Sequence, residues 1–401
     1  VAPVAGAPFQ DGAVLAAGGI IRAVGAFSEL KAESPGRTTV MDHGDAAIIP
    51  ALVNAHTHLE LTGLAGQVAL PQHCFADWLR ELMPRRMLLS PDLHHEAVAE
   101  GERQMRAEGV CLCGDITNGA GLAVEPSAAV PERMVFLEVL GFNQETLDSA
   151  LGPDGMQALK AASDRNRPFV SLAAHACYST SASLIAAAKE WSGKRGSIFS
   201  IHTAEHAEEL EFLQNGSGYC RELLENLGKW TPRWTPPRTT PVGYLDRLGV
   251  LDSRTLLVHA VHMTENDWEI VAGKKCSVCF CPRSNANIGS GRAAIETALQ
   301  MGVTASLGTD SLASNTDLSL FAEAAYTLDK HPSLSPGAAL EMITLGGARC
   351  LRQDARYGSI EPGKRAALSA VAIPPSLPAH EIEEAIIHQG AKGEWQWVSC
   401  P

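Results

Sequence analysis

Eight short apolar runs, several ending in a histidine or aspartate, constrain this chain more than any other feature. They are "IIPALVNAHTH", "GVCLCGDI", "RMVFLEVLG", "FVSLAAHACY", "SIFSIHTAEH", "TLLVHAV", "CSVCFCPRS" and "VTASLGTDS". Between them lie segments such as "SPDLHHEAVAEGERQMRAEG" and "AAIETALQMG" with helical spacing of apolar residues. Strand alternating with helix is the signature of βα units on a parallel sheet. Eight units predict an α/β fold, a (β/α)8 barrel over about residues 51–354.

Outside that span, "DGAVLAAGGIIRAVGAF" near the start and "YGSIEPGKRAALSAVAIPP" near the end are punctuated by Gly and Pro and carry short β-type runs. They are read as two parts, 1–50 and 355–401, of one small composite β-sandwich, brought together because the two ends of the barrel meet. Residues 216–243, rich in Trp and Pro, follow the fifth strand and are expected to form a long loop at the catalytic face.

The net charge of -13, with no long basic block, speaks against nucleic acid and anionic membranes and for a small-molecule partner. No run approaches the roughly 18–20 apolar residues of a membrane span, and no signal-peptide pattern is present, so a cytoplasmic location is expected. Ten scattered cysteines fit reduced thiols. Cys276, Cys279 and Cys281 alternate along one run and read better as buried strand residues than as a metal knuckle.

The ionisable residues gather at strand ends. His56 and His58 close the first run, His175 the fourth, His202 the fifth, His259 the sixth and Asp310 the eighth. In a barrel those ends converge on one face. His-x-His on a strand puts both imidazoles on one side. Alone that pair is a weak signal, but three imidazoles and a carboxylate (His56, His58, His202, Asp310) suit one divalent metal with a position left for water. Such a metal lowers the pKa of bound water from about 15.7 towards 7.

Asp310 could then both ligate and accept the water's proton. Glu205, three residues after His202, is suited to take and give a proton, as hydrolytic loss of an amine requires; the bland alternative is a surface charge at a helix start. His259 is expected at the mouth, polarising water or substrate. His262 is expected to cap or pack, and His206, His94 and His95 to sit on polar helical faces. Ser311, beside Asp310, is a candidate substrate contact.

"PALVNAHTHLEL", "IHTAEHAEE", "LVHAVHM", "CPRSNANIG" and "LGTDSLASN" together resemble the amidohydrolase superfamily, in its cytosine deaminase and chlorohydrolase-like branch. The resemblance implies a single zinc, or iron, on His56, His58, His202 and Asp310. It also implies that Glu205 shuttles a proton to a substrate ring nitrogen, that His259 contacts the attacking water, and that homodimers occur. Glutamate at 205 favours deamination over chloride displacement.

Among the deaminases the chain is similar to those acting on adenine nucleosides, and "HTHLEL", "DWLRELMPRR" and "CPRSN" look most like the aminodeoxyfutalosine deaminases of menaquinone biosynthesis. That likeness implies that His175 contacts the purine and that Trp78 lies in a loop covering the base. Methylthioadenosine and S-adenosylhomocysteine deaminases usually hold the ribose with a glutamate where this chain reads Arg85-Arg86. Aminodeoxyfutalosine carries a benzoate, which Arg85, Arg86, Arg233 or Arg238 could pair with in two parallel hydrogen bonds, unless these guanidinia are merely solvated. Ala51 and Ala367 also depart from the family pattern.

Three other readings compete with a deaminase. A triazine or cyclic-amide hydrolase would use the same metal, and only a substrate assay separates it. A nucleic-acid-editing zinc deaminase is rejected because Lys275 precedes Cys276 where its motif needs Pro. A binding protein without turnover is disfavoured by the complete residue set.

Overall fold

The computed structural model describes residues 1–33, 38–119, 122, 131–164 and 170–398. Phe169, which opens the fourth run, and residues 399–401 of the closing β part lie outside the described residues. All eight runs contain strands: β4 Leu52–Thr57, β5 Val110–Thr117, β6 Glu132–Val139, β7 Val170–Ala176, β8 Phe199–Thr203, β9 Thr255–His259, β10 Ser277–Phe280 and β11 Thr304–Leu307. They form one eight-stranded sheet, each paired in parallel with the next in chain order. A parallel bridge between Thr57 and Asp310 brings its two edges together, giving the barrel.

Closure demands close approach. A Cβ on Gly308 would lie 2.8 Å from both the His56 carbonyl oxygen and Cys279 Sγ, so only glycine lets the last strand lie against the first. Just beyond it, Asn54 Nδ2 donates to Thr309 Oγ1 at 2.7 Å and Thr57 Oγ1 donates to the Asp310 carbonyl at 2.9 Å. These bonds fix the position of Asp310 relative to His56 and His58.

The first run is two strands. Ala46–Pro50, β3, leaves the barrel and pairs antiparallel with β12, Leu368–Ala372, which also pairs with β13, Trp395–Trp397. The break falls at Ala51, whose N–H donates to the Ala367 carbonyl at 2.9 Å, so the two family departures meet. Hydrophobicity is continuous across the break because both strands are buried, which is why the run looks like one strand.

A hairpin of β1, Gly12–Ala17, and β2, Ile20–Ala26, turns at Gly18 and Gly19, both at positive φ as a two-residue turn requires. Ile21, Ile360 and Leu368 form a small core there, with Val14, Val24 and Ile48 against it. The end of the chain is not all β: helix Ile382–Ala391 buries Ile386 and Ile387.

Residues 216–243 are not simply loop. They contain helix Tyr219–Asn226, and Trp234 stacks on buried Phe212 at 4.6 Å between ring centroids while Trp230 stacks on Phe142 at 5.9 Å. Among the described residues no helix is long and apolar enough to cross a membrane. Cys276, Cys279 and Cys281 are free and buried, but only Cys279 lies in β10: Cys276 precedes the strand and Cys281 stands at the N-cap of the helix Pro282–Asn287 that follows it; burial pushes the Cys276 thiol up to about 12.

Candidate active site

At the C-terminal ends of the strands four imidazoles surround one point. His56 ring lies 5.0 Å from those of His58 and His202 and 5.7 Å from that of His259, centroid to centroid. His56 Nε2 and His58 Nε2 are each 3.6 Å from Asp310 Oδ1, too far for hydrogen bonds but close enough to share an ion. Candidate ligand atoms of His56, His58 and Asp310, and of His56, His202 and His259, lie within 4.8 Å of one another.

The donor set fits a metal. His56 is fully buried and neither ring nitrogen has a hydrogen-bond partner among the described residues, an arrangement that is costly without an ion to fill it. His202 Nδ1 donates to the His175 carbonyl at 2.7 Å, and His259 Nδ1 donates to Asn285 Oδ1 at 2.9 Å, which leaves each Nε2 as a lone-pair donor. Asp310 Oδ2 accepts from Ser284 Oγ at 2.6 Å and Ser314 Oγ at 2.7 Å, leaving Oδ1 for the cluster.

Charge follows the same plan. Burial lowers the His58 imidazole to about 4, and burial lowers that of His259 to about 3, so both rings are neutral at pH 7. Burial alone would raise the Asp310 carboxyl, but His56, His58 and His259 hold it well below the usual carboxylate range.

Glu205 is buried, not a surface charge, and its Oε1 lies 3.4 Å from His259 Nε2. Burial, with Asp310 and Glu209 nearby, raises its carboxyl well above the ordinary range. The backbone that presents these groups is unusual: Ala204, His259, Ala260 and Asp310 all have φ between 50° and 73°, a left-handed conformation rare in non-glycine residues. Such conformations persist where neighbours impose them. Here Ala204 O accepts from Val261 N and His262 N, tying the ends of the fifth and sixth strands together.

The other expected contacts separate. His175 lies at the end of β7, its ring 5.2 Å from that of His202 and its Nδ1 2.5 Å from Ser179 Oγ. Trp78 is on helix Phe75–Arg86 rather than in a loop, because Phe75, Trp78, Leu79 and Leu82 share a buried face; its indole N–H donates to the Ala313 carbonyl at 2.9 Å. Arg86 bonds the Asn118 side chain and lies close enough to act on the charges of His58, His175 and Glu138. Arg85 turns back along its own helix to Glu81, 3.0 Å away, since i and i+4 share a face. Arg233 and Arg238 are exposed. Ser311 Oγ is 3.1 Å from Ser314 Oγ and so reaches Asp310 through it.

Two expectations about histidines part ways. His262 Nε2 donates to the Ser290 carbonyl at 2.8 Å, as a loop-packing residue should. His206 is not on a polar face: it is buried, stacks on Phe75 at 3.6 Å, and its Nδ1 accepts from Glu209 N to cap helix Ala207–Asn215.

Sequence reasoning missed Glu138, Ser284, Asn285 and Glu209. Glu138 interrupts the apolar run "RMVFLEVLG", the same signal that marked the histidines. Ser284 and Asn285 lie in the quoted "CPRSN", but nothing local says which side chains they touch.

Residues 47–394 match the model of the amidohydrolase family. The chain belongs to the amidohydrolase family. It is 31% identical over 357 residues to the aminodeoxyfutalosine deaminase of Deinococcus radiodurans, covering 85% of this chain and 81% of that protein. To the 5-methylthioadenosine/S-adenosylhomocysteine deaminase of Nitratidesulfovibrio vulgaris it is 30% identical over 372 residues, covering 88% and 77%. The crystal structure of a Helicobacter pylori aminofutalosine deaminase with methylthio-coformycin shares the fold, with TM-score 0.80 at 23% identity, covering 95% of this chain and 92% of that one. So does a zinc-bound Xanthomonas campestris adenosine deaminase, with TM-score 0.79 at 24% identity over 97% and 88%. The family and the imidazole–carboxylate cluster agree on a metal-binding hydrolase of small molecules.

Proposed function

We propose that this amidohydrolase is a hydrolytic deaminase of an adenine-nucleoside-type substrate, with 6-aminodeoxyfutalosine the first candidate and methylthioadenosine, S-adenosylhomocysteine or adenosine the alternatives. The observation that carries the reading is the buried Glu205 carboxyl beside His259, at the edge of the imidazole–carboxylate cluster. Loss of an aromatic amine needs a proton delivered to the ring nitrogen next to the carbon under attack. A carboxyl held protonated by burial can deliver it; one with an ordinary pKa would be empty at pH 7.

His56, His58, His202 and Asp310 would hold one divalent ion, zinc first and ferrous iron second, since both accept imidazole and carboxylate. When bound it supplies a water acidified to a pKa of about 7. Asp310, kept ionised by its histidines, takes the proton from that water; His259, neutral and anchored by Asn285, orients it. Glu205 protonates the ring nitrogen; the oxygen of the attacking water stays on the ring carbon as the carbonyl oxygen, the amine leaves as ammonia with the proton that Asp310 took from the water, and the remaining hydroxyl proton returns to Glu205. His175 and Trp78 bound the base, and Arg86 is the guanidinium best placed for a substrate carboxylate, because Arg85 is committed to Glu81. The relatives' names, split between aminodeoxyfutalosine and methylthioadenosine deaminases, support the nucleoside class.

The test is ammonia release and ultraviolet shift for zinc-loaded protein offered aminodeoxyfutalosine, methylthioadenosine, S-adenosylhomocysteine, adenosine and cytosine. Fastest turnover of aminodeoxyfutalosine is the expected result. Release of no amine from any of them would overturn the reading.

A further inference from the structure

The third barrel strand ends on a carboxylate that neither the ligand cluster nor the proton-transfer pair uses. Glu138 is 5% exposed and sits one residue before the end of β6, which lies between β5 and the strand that carries His175, β7. One of its oxygens is occupied: Asn118 Nδ2 donates to Oε2 at 2.9 Å. Asn118 is itself held firmly, its N–H donating to Glu60 Oε1 at 2.8 Å and its side-chain oxygen accepting from Arg86. The other oxygen, Oε1, is buried with no hydrogen-bond partner among the described residues. A buried carboxylate oxygen without a donor is costly, so this one is suited to meet a group that the described residues do not supply.

Two features say what that group is. Glu138 lies close enough to His175 and His202 for the three to hold a cation. Yet the His202 nitrogen nearest to it, Nδ1 at 4.0 Å, already donates to the His175 carbonyl, and the Arg86 cation acts on the same carboxylate. A second cation there would lack a ligand and face a like charge. The occupant is therefore a neutral donor beside the ligand cluster, and the neutral donors a nucleoside offers away from its reacting amine are its sugar hydroxyls.

We propose that Glu138 is a specificity-determining residue whose Oε1 accepts a hydrogen bond from a sugar hydroxyl of the substrate, with Asn118 and Arg86 as the positioning residues that aim it. This rests on the nucleoside reading above. It places hydroxyl recognition on a barrel strand, next to the purine side of the site.

The experiment compares adenosine with 2′,3′-dideoxyadenosine on the metal-loaded enzyme, by turnover or as competitors of the nucleoside deaminated fastest. Wild type should favour adenosine. Glu138→Gln keeps the shape and removes the charge; it should raise KM or the inhibition constant for adenosine roughly 10- to 100-fold, the range for one charge-assisted hydrogen bond. Values for the dideoxy compound, and bound metal, should stay as in wild type. Asn118→Ala, which frees the Glu138 side chain, should give a smaller loss with the same selectivity.

Equal losses for both compounds, or loss of metal from Glu138→Gln, would mean that Glu138 only supports His175 and His202, and would overturn the proposal. Retained preference for adenosine would also overturn it. If wild type deaminates no nucleoside at all, the reading beneath it fails first, and that outcome is visible before any variant is made.

Discussion

Glu205 and His259 face each other across 3.4 Å at the ends of neighbouring strands, both buried and both on backbone locked by left-handed residues next to or at them. Burial raises the Glu205 carboxyl well above its ordinary value and lowers the His259 imidazole to about 3, so the carboxyl holds its proton more tightly than usual and the imidazole less tightly. Replacing Glu205 by Gln leaves the shape and removes the transferable proton. Turnover should fall by about 10²–10⁴-fold, while metal content stays unchanged. Steady-state kinetics with metal analysis checks this; near-normal kcat would remove Glu205 from proton transfer.

Asp310 owes its orientation to two hydroxyls, Ser284 and Ser314, both on Oδ2. Partners of this kind typically contribute about 10- to 100-fold to metal affinity or activity. Ser284→Ala should weaken metal binding within that range, and the double variant Ser284→Ala/Ser314→Ala should weaken it further. Competition with a chromogenic chelator measures both. Unchanged affinity in the double variant would mean that Asp310 is held by its backbone bonds alone.

Gly308→Ala puts a methyl 2.8 Å from the His56 carbonyl oxygen and from Cys279 Sγ. The last strand must shift away from the first, and Asp310 with it. Overpacking of this kind costs about 1–3 kcal/mol. The thermal midpoint should fall, and metal affinity should fall with it; a variant that is destabilised yet binds metal normally would show that strand closure does not set the site.

Stability should decline as pH rises from mildly acid to about 8. Burial raises the Glu323 carboxyl to about 8 despite Arg283, and raises Glu209 to about 8 despite backbone hydrogen bonds to Glu205, Ala204 and Cys177. Each binds its proton more tightly in the folded chain than in the unfolded one. The stabilisation they give is complete below pH 4.5 and is lost as pH rises through 8. The unfolding midpoint should therefore drop as pH rises from 4.5 to about 8, less so in Glu323→Gln. Equal slopes in variant and wild type would contradict the assignment.

The barrel and the gathering of imidazoles and a carboxylate at its strand ends were legible because both write themselves locally. A histidine at the end of an apolar run has to be explained, and eight such runs in order leave few architectures. What stayed hidden depends on partners far along the chain. The break at Ala51 is set by its bond to Ala367, and Arg85 and Arg86 differ only in which neighbour each can reach. His206 looks polar in sequence, yet it is buried because Phe75, from another helix, lies flat against it. The helix Tyr219–Asn226 was obscured by the prolines and tryptophans that follow it.

The central claim is that the cluster holds one divalent ion and that this ion drives loss of an amine. The direct measurement is ammonia release from the best nucleoside as metal-free protein is titrated with zinc. Activity should be absent at the start, rise linearly and level off at about one equivalent per chain, as a single four-ligand site requires. Full activity before any metal is added, or one equivalent bound with no ammonia released from any nucleoside, would contradict the account.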